Sequence, residues 1–229
     1  MQILQMKKNI RLIGLILVGI LPTVLWSQTK EEYFLLNSQV IEEVRYVEID
    51  GSPFQFEDWQ TGTVYTIKLE MIKNVELNYN GYEHNFEAKK GRSYISLDDK
   101  WYLRIELGDS TDRKIFQRGV HQKFAEKWVQ VLHPGKYIML VKLFEVKVAT
   151  KTIQDVGKTV KIKRFFDTTT YYLIQDGELT MLKAKKKPLL KKLGFRAELE
   201  AFIKANDLDL KTDQGLQQLI AHYETLANP

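Results

Sequence analysis

The chain contains no cysteine in its 229 residues. That excludes disulfide staples, thiol nucleophiles and thiolate metal sites, and leaves no cysteine for a lipoprotein's acyl chain. Histidine is scarce as well: His84, His121, His133 and His222 are the full set, and no pair has the close helical spacing of a zinc site. The nucleophile elbow Gly-x-Ser-x-Gly does not occur. Ser52, in Gly51-Ser52-Pro53-Phe54 with Glu57 and Asp58 following, is the nearest approach to a serine site. Pro53 makes that stretch a turn motif first. Asp109-Ser110-Thr111-Asp112 could supply one side of a calcium site, and reads equally well as an acidic, hydroxyl-rich turn. No cofactor motif is present, and no catalytic or metal-ligating residue can be named.

A strong excess of one charge is missing too. The whole chain carries a formal +5, but Lys7, Lys8 and Arg11 precede residue 28 with no acid beside them. Residues 28–229 hold 31 basic and 29 acidic side chains, a net of +2. That is a mixed surface and not a nucleic-acid footprint.

The N-terminal stretch fixes an expected location. Its three basic residues lead into an apolar run from Leu12 to Trp26, broken near its end by Pro22, and Ser27 precedes a polar switch at Gln28. Basic, apolar and small-residue regions in that order make a secretory signal peptide. The run is shorter than the roughly 20 residues that a spanning helix needs. Cleavage after Ser27 would leave a chain exported to the periplasm, the cell envelope or the exterior, touching membrane at most peripherally. An uncleaved anchor is the alternative. Met6 opens a more conventional signal than Met1.

From about Val40 to Leu182, short runs rich in Val, Ile, Tyr, Phe and Thr alternate with turn dipeptides. Asn80-Gly81 between Val75–Asn80 and Tyr82–Ala88 is a strong hairpin signal. His133-Pro134-Gly135 joins Glu126–Leu132 to Lys136–Val148, and Pro followed by Gly suits a type II turn. Within that hairpin, Trp128–Leu132 and Tyr137–Val141 are apolar on both faces except at Gln130, as in a strand covered on both sides. Past Val141 the pattern relaxes: Phe144, Val146 and Val148 point one way, Glu145 and Lys147 the other. The strand is expected to end near Ala149, with a loop over Thr150–Gly157. Asp176-Gly177 marks a third hairpin. In all, nine or ten strands are expected.

After Pro188 the spacing turns helical. Leu189, Leu190 and Leu193 stop at Gly194, Phe195, Leu199 and Phe202 line a second helix, and Thr212 caps a third with Leu216, Leu219, Ile220, Tyr223 and Leu226 inside. Such short helices need a surface to dock on. The predicted fold is therefore mainly β (β+α): an antiparallel meander forming a curved sheet or open barrel, with two or three short C-terminal helices packed on it. The divisions are a signal at 1–27, a β domain at 28–183 and a helical segment at 184–229.

Two surfaces are candidates for partner binding. One is the Gly51–Gly62 loop with Phe54 and Trp59, because exposed aromatics are the usual platforms for sugars and protein partners. The other is the lysine run around Pro188, above all Lys185, Lys186 and Lys187, which could meet an anionic lipid or an acidic partner.

Gly51-Ser52-Pro53-Phe54 with Trp59-Gln60-Thr61-Gly62, Leu77-Asn78-Tyr79-Asn80, Tyr171-Tyr172-Leu173, and the tail from Phe202-Ile203-Lys204 to His222-Tyr223 together resemble an uncharacterised family of exported β-rich envelope proteins of Bacteroidota. The resemblance implies an envelope location and carries no reaction or functional residue with it. The function expected is thus non-catalytic binding of an envelope protein or a glycan. The alternatives are a carrier of lipid or another amphiphile in a curved-sheet cavity, and a hydrolase whose site cannot be named.

Overall fold

The computed structural model describes residues 38–42, 44–68 and 70–227. The expected export signal lies outside them. Twelve strands form one sheet: β1 Ser38–Ile41, β2 Ile49–Asp50, β3 Gln60–Thr66, β4 Met71–Asn80, β5 Asn85–Lys90, β6 Ser93–Leu97, β7 Tyr102–Leu107, β8 Lys114–Gln117, β9 Val129–Pro134, β10 Ile138–Asp155, β11 Lys158–Gln175 and β12 Glu178–Leu182. Three helices follow: α1 Lys186–Leu193, α2 Arg196–Ala205 and α3 Asp213–Ala227. The order across the sheet is β1-β6-β5-β4-β3-β7-β8-β9-β10-β11-β12, with β2 added to β11 in parallel. The other pairs are antiparallel, as short connections require. The sheet does not close into a barrel. Among the described residues no helix is long and apolar enough to cross a membrane.

Alternation explains how the sheet curls. Val64, Leu77, Tyr79, Phe86, Ala88, Ile95, Ile105 and Leu107 all point to one face. They share a cluster with Phe144 and Val146 of β10 and Phe165 of β11, from the far half of the sheet. The sheet therefore bends until the β4–β5 hairpin meets β10, where the Val146 amide donates to the Gly81 carbonyl at 3.0 Å. Large aromatics pack inside it. Trp128, Tyr79, Tyr102, Phe86 and Phe116 are each less than 2% exposed, and Phe86 meets Phe116 and Trp128 edge-on at 5.1 and 5.3 Å.

A second core lies where the helices dock. Leu132, Ile138, Leu140, Leu173 and Leu182 of the sheet pack against Leu189, Leu190, Leu193, Leu199, Leu216, Leu219 and Ile220. The opposite face of the same strands carries Val129, Val131, Val141 and Leu143 under Phe124. The β9–β10 hairpin is thus covered on both sides, and its doubly apolar arms are the reason. The Thr212 hydroxyl accepts from the Gly215 amide at 3.0 Å, so it caps α3 as its position predicts.

Three local expectations are corrected. The Asn80-Gly81 hairpin turns over four residues, Gly81–His84, so β5 starts at Asn85 and not at Tyr82. Asn80 winds this turn, its Oδ1 accepting from the amides of Tyr82 and Glu83 at 3.0 Å each. Glycine is needed there for space, since a Cβ at residue 81 would lie 2.7 Å from the Phe144 ring. Gly135 does not adopt the positive φ of a type II turn. It too is set by close approach, because a Cβ there would strike the Glu224 carboxylate and the His133 ring. Most of the expected loop at Thr150–Gly157, from Thr150 to Asp155, is instead the far end of β10, which pairs with β11 over all 18 residues, and only Val156–Gly157 turn.

Candidate functional site

The face of β4–β5–β6 turned away from the core is polar. Asn78 lies opposite Glu87, Glu87 opposite Ser96, and Asn80 opposite Asn85. Asn78, Asn80 and Glu87 are nevertheless buried, at 2%, 0% and 1% exposure. The segment 44–59 covers them like a strap. Arg45 reaches both oxygens of Glu87 at 2.7 Å, and the Asn80 amide donates to Glu87 Oε1 at 2.7 Å. One ion pair and one amide hydrogen bond thus compensate this buried carboxylate. Burial pushes the Tyr46 phenol up to about 12, with Glu83 and Glu87 adding to the rise. It therefore keeps its proton, which it can donate to Glu83 at 3.2 Å while accepting from Asn80.

Further along, the strap continues the line of β3 beside β4. The Gly81 amide donates to the Pro53 carbonyl at 2.8 Å and the Gln55 amide to Tyr79 at 2.9 Å. The Asn78 side chain bonds the Phe56 backbone twice, accepting from its amide at 3.2 Å and donating to its carbonyl at 2.8 Å. Ser52 Oγ accepts from the Phe54 amide at 3.1 Å, which gives this hydroxyl the turn role that Pro53 suggested.

The strap places Phe54 and Trp59 together. Trp59 lies between Phe54 at 5.7 Å and Tyr94 at 5.4 Å, and all three are half-buried. Trp59 is therefore less exposed than its loop position implies: it is wedged between strap and sheet, with part of the indole at the surface. Ser96 stands two residues from Tyr94 on the same face of β6. Its hydroxyl accepts from the Asn85 amide at 2.6 Å, while Asn85 Oδ1 is buried with no hydrogen-bond partner. Together these make a half-covered aromatic ledge beside amide and hydroxyl groups.

The lysine candidates are exposed at the start of α1. Lys185 holds the N-cap position with no side-chain cap bond, and Lys186 and Lys187 open the first turn. Cations at the positive end of a helix are disfavoured by about 0.3–1 kcal/mol each. Lys183, Lys191 and Lys192 line a separate cleft of about 330 Å³ with Met181 and Pro188. The structure therefore splits the basic run in two and does not join it to the aromatic ledge.

The remaining candidates have local work. The Asp109 carboxylate accepts from the Thr111 hydroxyl and amide and the Asp112 amide, which hold its pKa below the ordinary range. Such bonds define an acidic turn. His121 Nδ1 accepts from the Lys123 amide, His133 lies 2.8 Å from Glu224, and His222 stacks on Phe202 at 4.0 Å. Burial, with Lys127 adding, lowers the pKa of His84. Among the described residues no cluster of metal-ligating side chains occurs. A cleft of about 630 Å³ lies on the outer side of β3, β7 and β8, lined by Tyr65, Leu103, Arg104, Glu106, Gln117 and Arg118. Arg104 is already paired with Glu106 at 2.6 Å.

Sequence reasoning missed the Arg45–Glu87–Asn80 network and the part of Tyr94. Their separations, 42 positions between Arg45 and Glu87, leave no local pattern to read. A scan against family models, a search of curated proteins and a search of solved structures each returned no match.

Proposed function

We propose that this chain is a non-catalytic, exported envelope protein that recognises a glycan at the ledge formed by Phe54, Trp59 and Tyr94. The carrying observation is the position of Trp59, packed between the other two rings with part of its surface left open, beside Ser96 and Asn85. Aromatic faces take the apolar face of a sugar ring, and neighbouring amides and hydroxyls take its hydroxyl groups. The leader pattern and the resemblance to exported Bacteroidota proteins support the envelope location. The aromatic packing inside the curled sheet favours a binding module over an amphiphile carrier. The pairing of Glu87 with Arg45 and the turn role of Ser52 favour binding over hydrolysis.

The test is calorimetric titration of the protein with oligosaccharides from envelope polysaccharides. Trp59→Ala should keep the thermal transition and weaken binding at least about tenfold, as loss of a central aromatic contact does. A Trp59→Ala protein that unfolds would make the residue core, and Ser96→Ala would then carry the test. Undiminished glycan binding in both variants, or no binding by the unaltered protein, would reject the reading.

A further inference from the structure

β10 and β11 run past the rest of the sheet. β9 pairs β10 only as far as Lys142, and β12 pairs β11 only from Tyr171 to Gln175. The ribbon has further support as far as Val146, which meets Gly81, and at Lys163–Arg164, where β2 joins. From Thr150 to Lys163 it projects as six facing pairs, of which only the first, Thr150–Lys163, touches β2. At about 3.3 Å per residue that is an arm of about 20 Å. Every residue of it whose side chain is described is exposed, except Ile153 and Ile162, which are half-buried.

The arm has two unlike faces and an apolar tip. Lys151, Ile153, Val160 and Ile162 share one face, and Thr150, Thr152, Gln154, Thr159, Lys161 and Lys163 the other. Lys158 opens β11 at the turn. The sequence from Thr150 to Lys163 thus holds four lysines against the single acid Asp155. Val156, at the tip, is 97% exposed and has φ +43°. A β-branched residue is strained there, where Asn or Asp sits more easily. This valine contributes nothing to the core and opposes its own turn.

We propose that the arm docks the protein on an anionic phospholipid bilayer, with Val156 entering the interface and the lysines seated among the headgroups. Charge complementarity names the occupant. The basic residues lie on both faces of the ribbon and around its apolar end. That distribution fits a headgroup layer surrounding an inserted tip, whereas docking against a folded acidic protein would use one face. Lysines near an anionic leaflet attract it within a Debye length, so docking should weaken as salt rises.

The experiment is co-sedimentation of the protein purified from its own envelope, with phosphatidylcholine vesicles lacking or containing phosphatidylglycerol. Partition onto the anionic vesicles should exceed that onto neutral ones and fall with salt. Combined Lys151→Glu, Lys161→Glu and Lys163→Glu should lower it about a hundredfold, at about fivefold per basic residue. Val156→Asn should act with opposite signs on two readouts, raising the unfolding midpoint by relieving the turn and lowering anionic partition several-fold. Because the chain lacks cysteine, Val156→Cys also admits a single environment-sensitive dye, whose emission should shift to the blue only with anionic vesicles. Equal partition on both vesicle types, charge-reversed arms that bind unchanged, or a tip dye that never leaves water would each overturn the proposal. So would capture by a soluble acidic protein in place of the vesicles.

Discussion

The two halves of the β10–β11 ribbon share one backbone arrangement and differ in everything that surrounds it. In the near half, Ile138 and Leu140 are 0% exposed under the helices, while Val141 on the other face is sealed by Phe124 and its neighbours. In the far half, Ile153 faces Val160, and neither is buried: Ile153 is half-exposed and Val160 exposed. Ladder hydrogen bonds are the same in kind along the whole ribbon. What separates the halves is burial of apolar area, which stabilises a core strand by about 1.5–3 kcal/mol per large side chain and does little for an isolated hairpin. The far half of the ribbon therefore gains little from the core that holds the near half.

The largest effect that should break the comparison is truncation in the near half. Leu140→Ala should cost about 2–5 kcal/mol of stability, because it opens a cavity between sheet and helices. Ile153→Ala in the far half should cost less than about 1 kcal/mol. Denaturant midpoints of the two variants check this directly. Similar losses would mean that the arm has interior support.

Acid offers a subtler way to sharpen it. The near half is tied to α3 through Glu224, whose carboxylate accepts from the amides of Tyr137 and Ile138 at 2.7 and 3.1 Å and meets His133. Burial alone would raise its pKa. The bonds to Tyr137, His133 and Ile138 together outweigh this and lower it from 4.5. A carboxyl with a depressed folded pKa contributes stability above its unfolded value and loses it as pH falls through the folded one. Stability should therefore drop as the pH falls below about 4.5. In Glu224→Gln that drop should be shallower and the neutral-pH stability lower. An unchanged acid limb would remove Glu224 from the clamp.

The same contrast explains what the sequence made legible. The β9–β10 arms announced themselves because apolar residues on both faces are unambiguous, and the helices because Leu189, Leu199 and Leu219 each belong to an amphipathic stripe. The far half of β10 read as a loop because alternation marks a strand only when one face is buried. Thr150 and Thr152 keep β-branching without hydrophobicity, and Ile153 is the one apolar residue between them and the turn, so branching was the main surviving signal. Strand count fell short for a related reason, since the two-residue β2 has no period to detect. At the candidate site, Phe54 and Trp59 were visible as aromatics in a turn-rich loop. Tyr94 was one of several strand tyrosines, and neither it nor the Arg45 clamp could be placed without the register of β4, β5 and β6. The turn glycines were correctly seen as turns and wrongly explained, because a clash with Phe144 or Glu224 is a tertiary fact.

Hydrogen exchange along β10 and β11, measured with and without anionic vesicles, bears on the whole account at once. Amides of 138–146 should exchange slowly in both conditions. Those of 150–163 should exchange at least about a hundredfold faster in solution, through local opening of the unsupported ribbon, and become protected when phosphatidylglycerol vesicles are added. Uniform protection along the ribbon in solution, or an arm indifferent to the vesicles, would contradict the division of this molecule into a packed root and a docking arm.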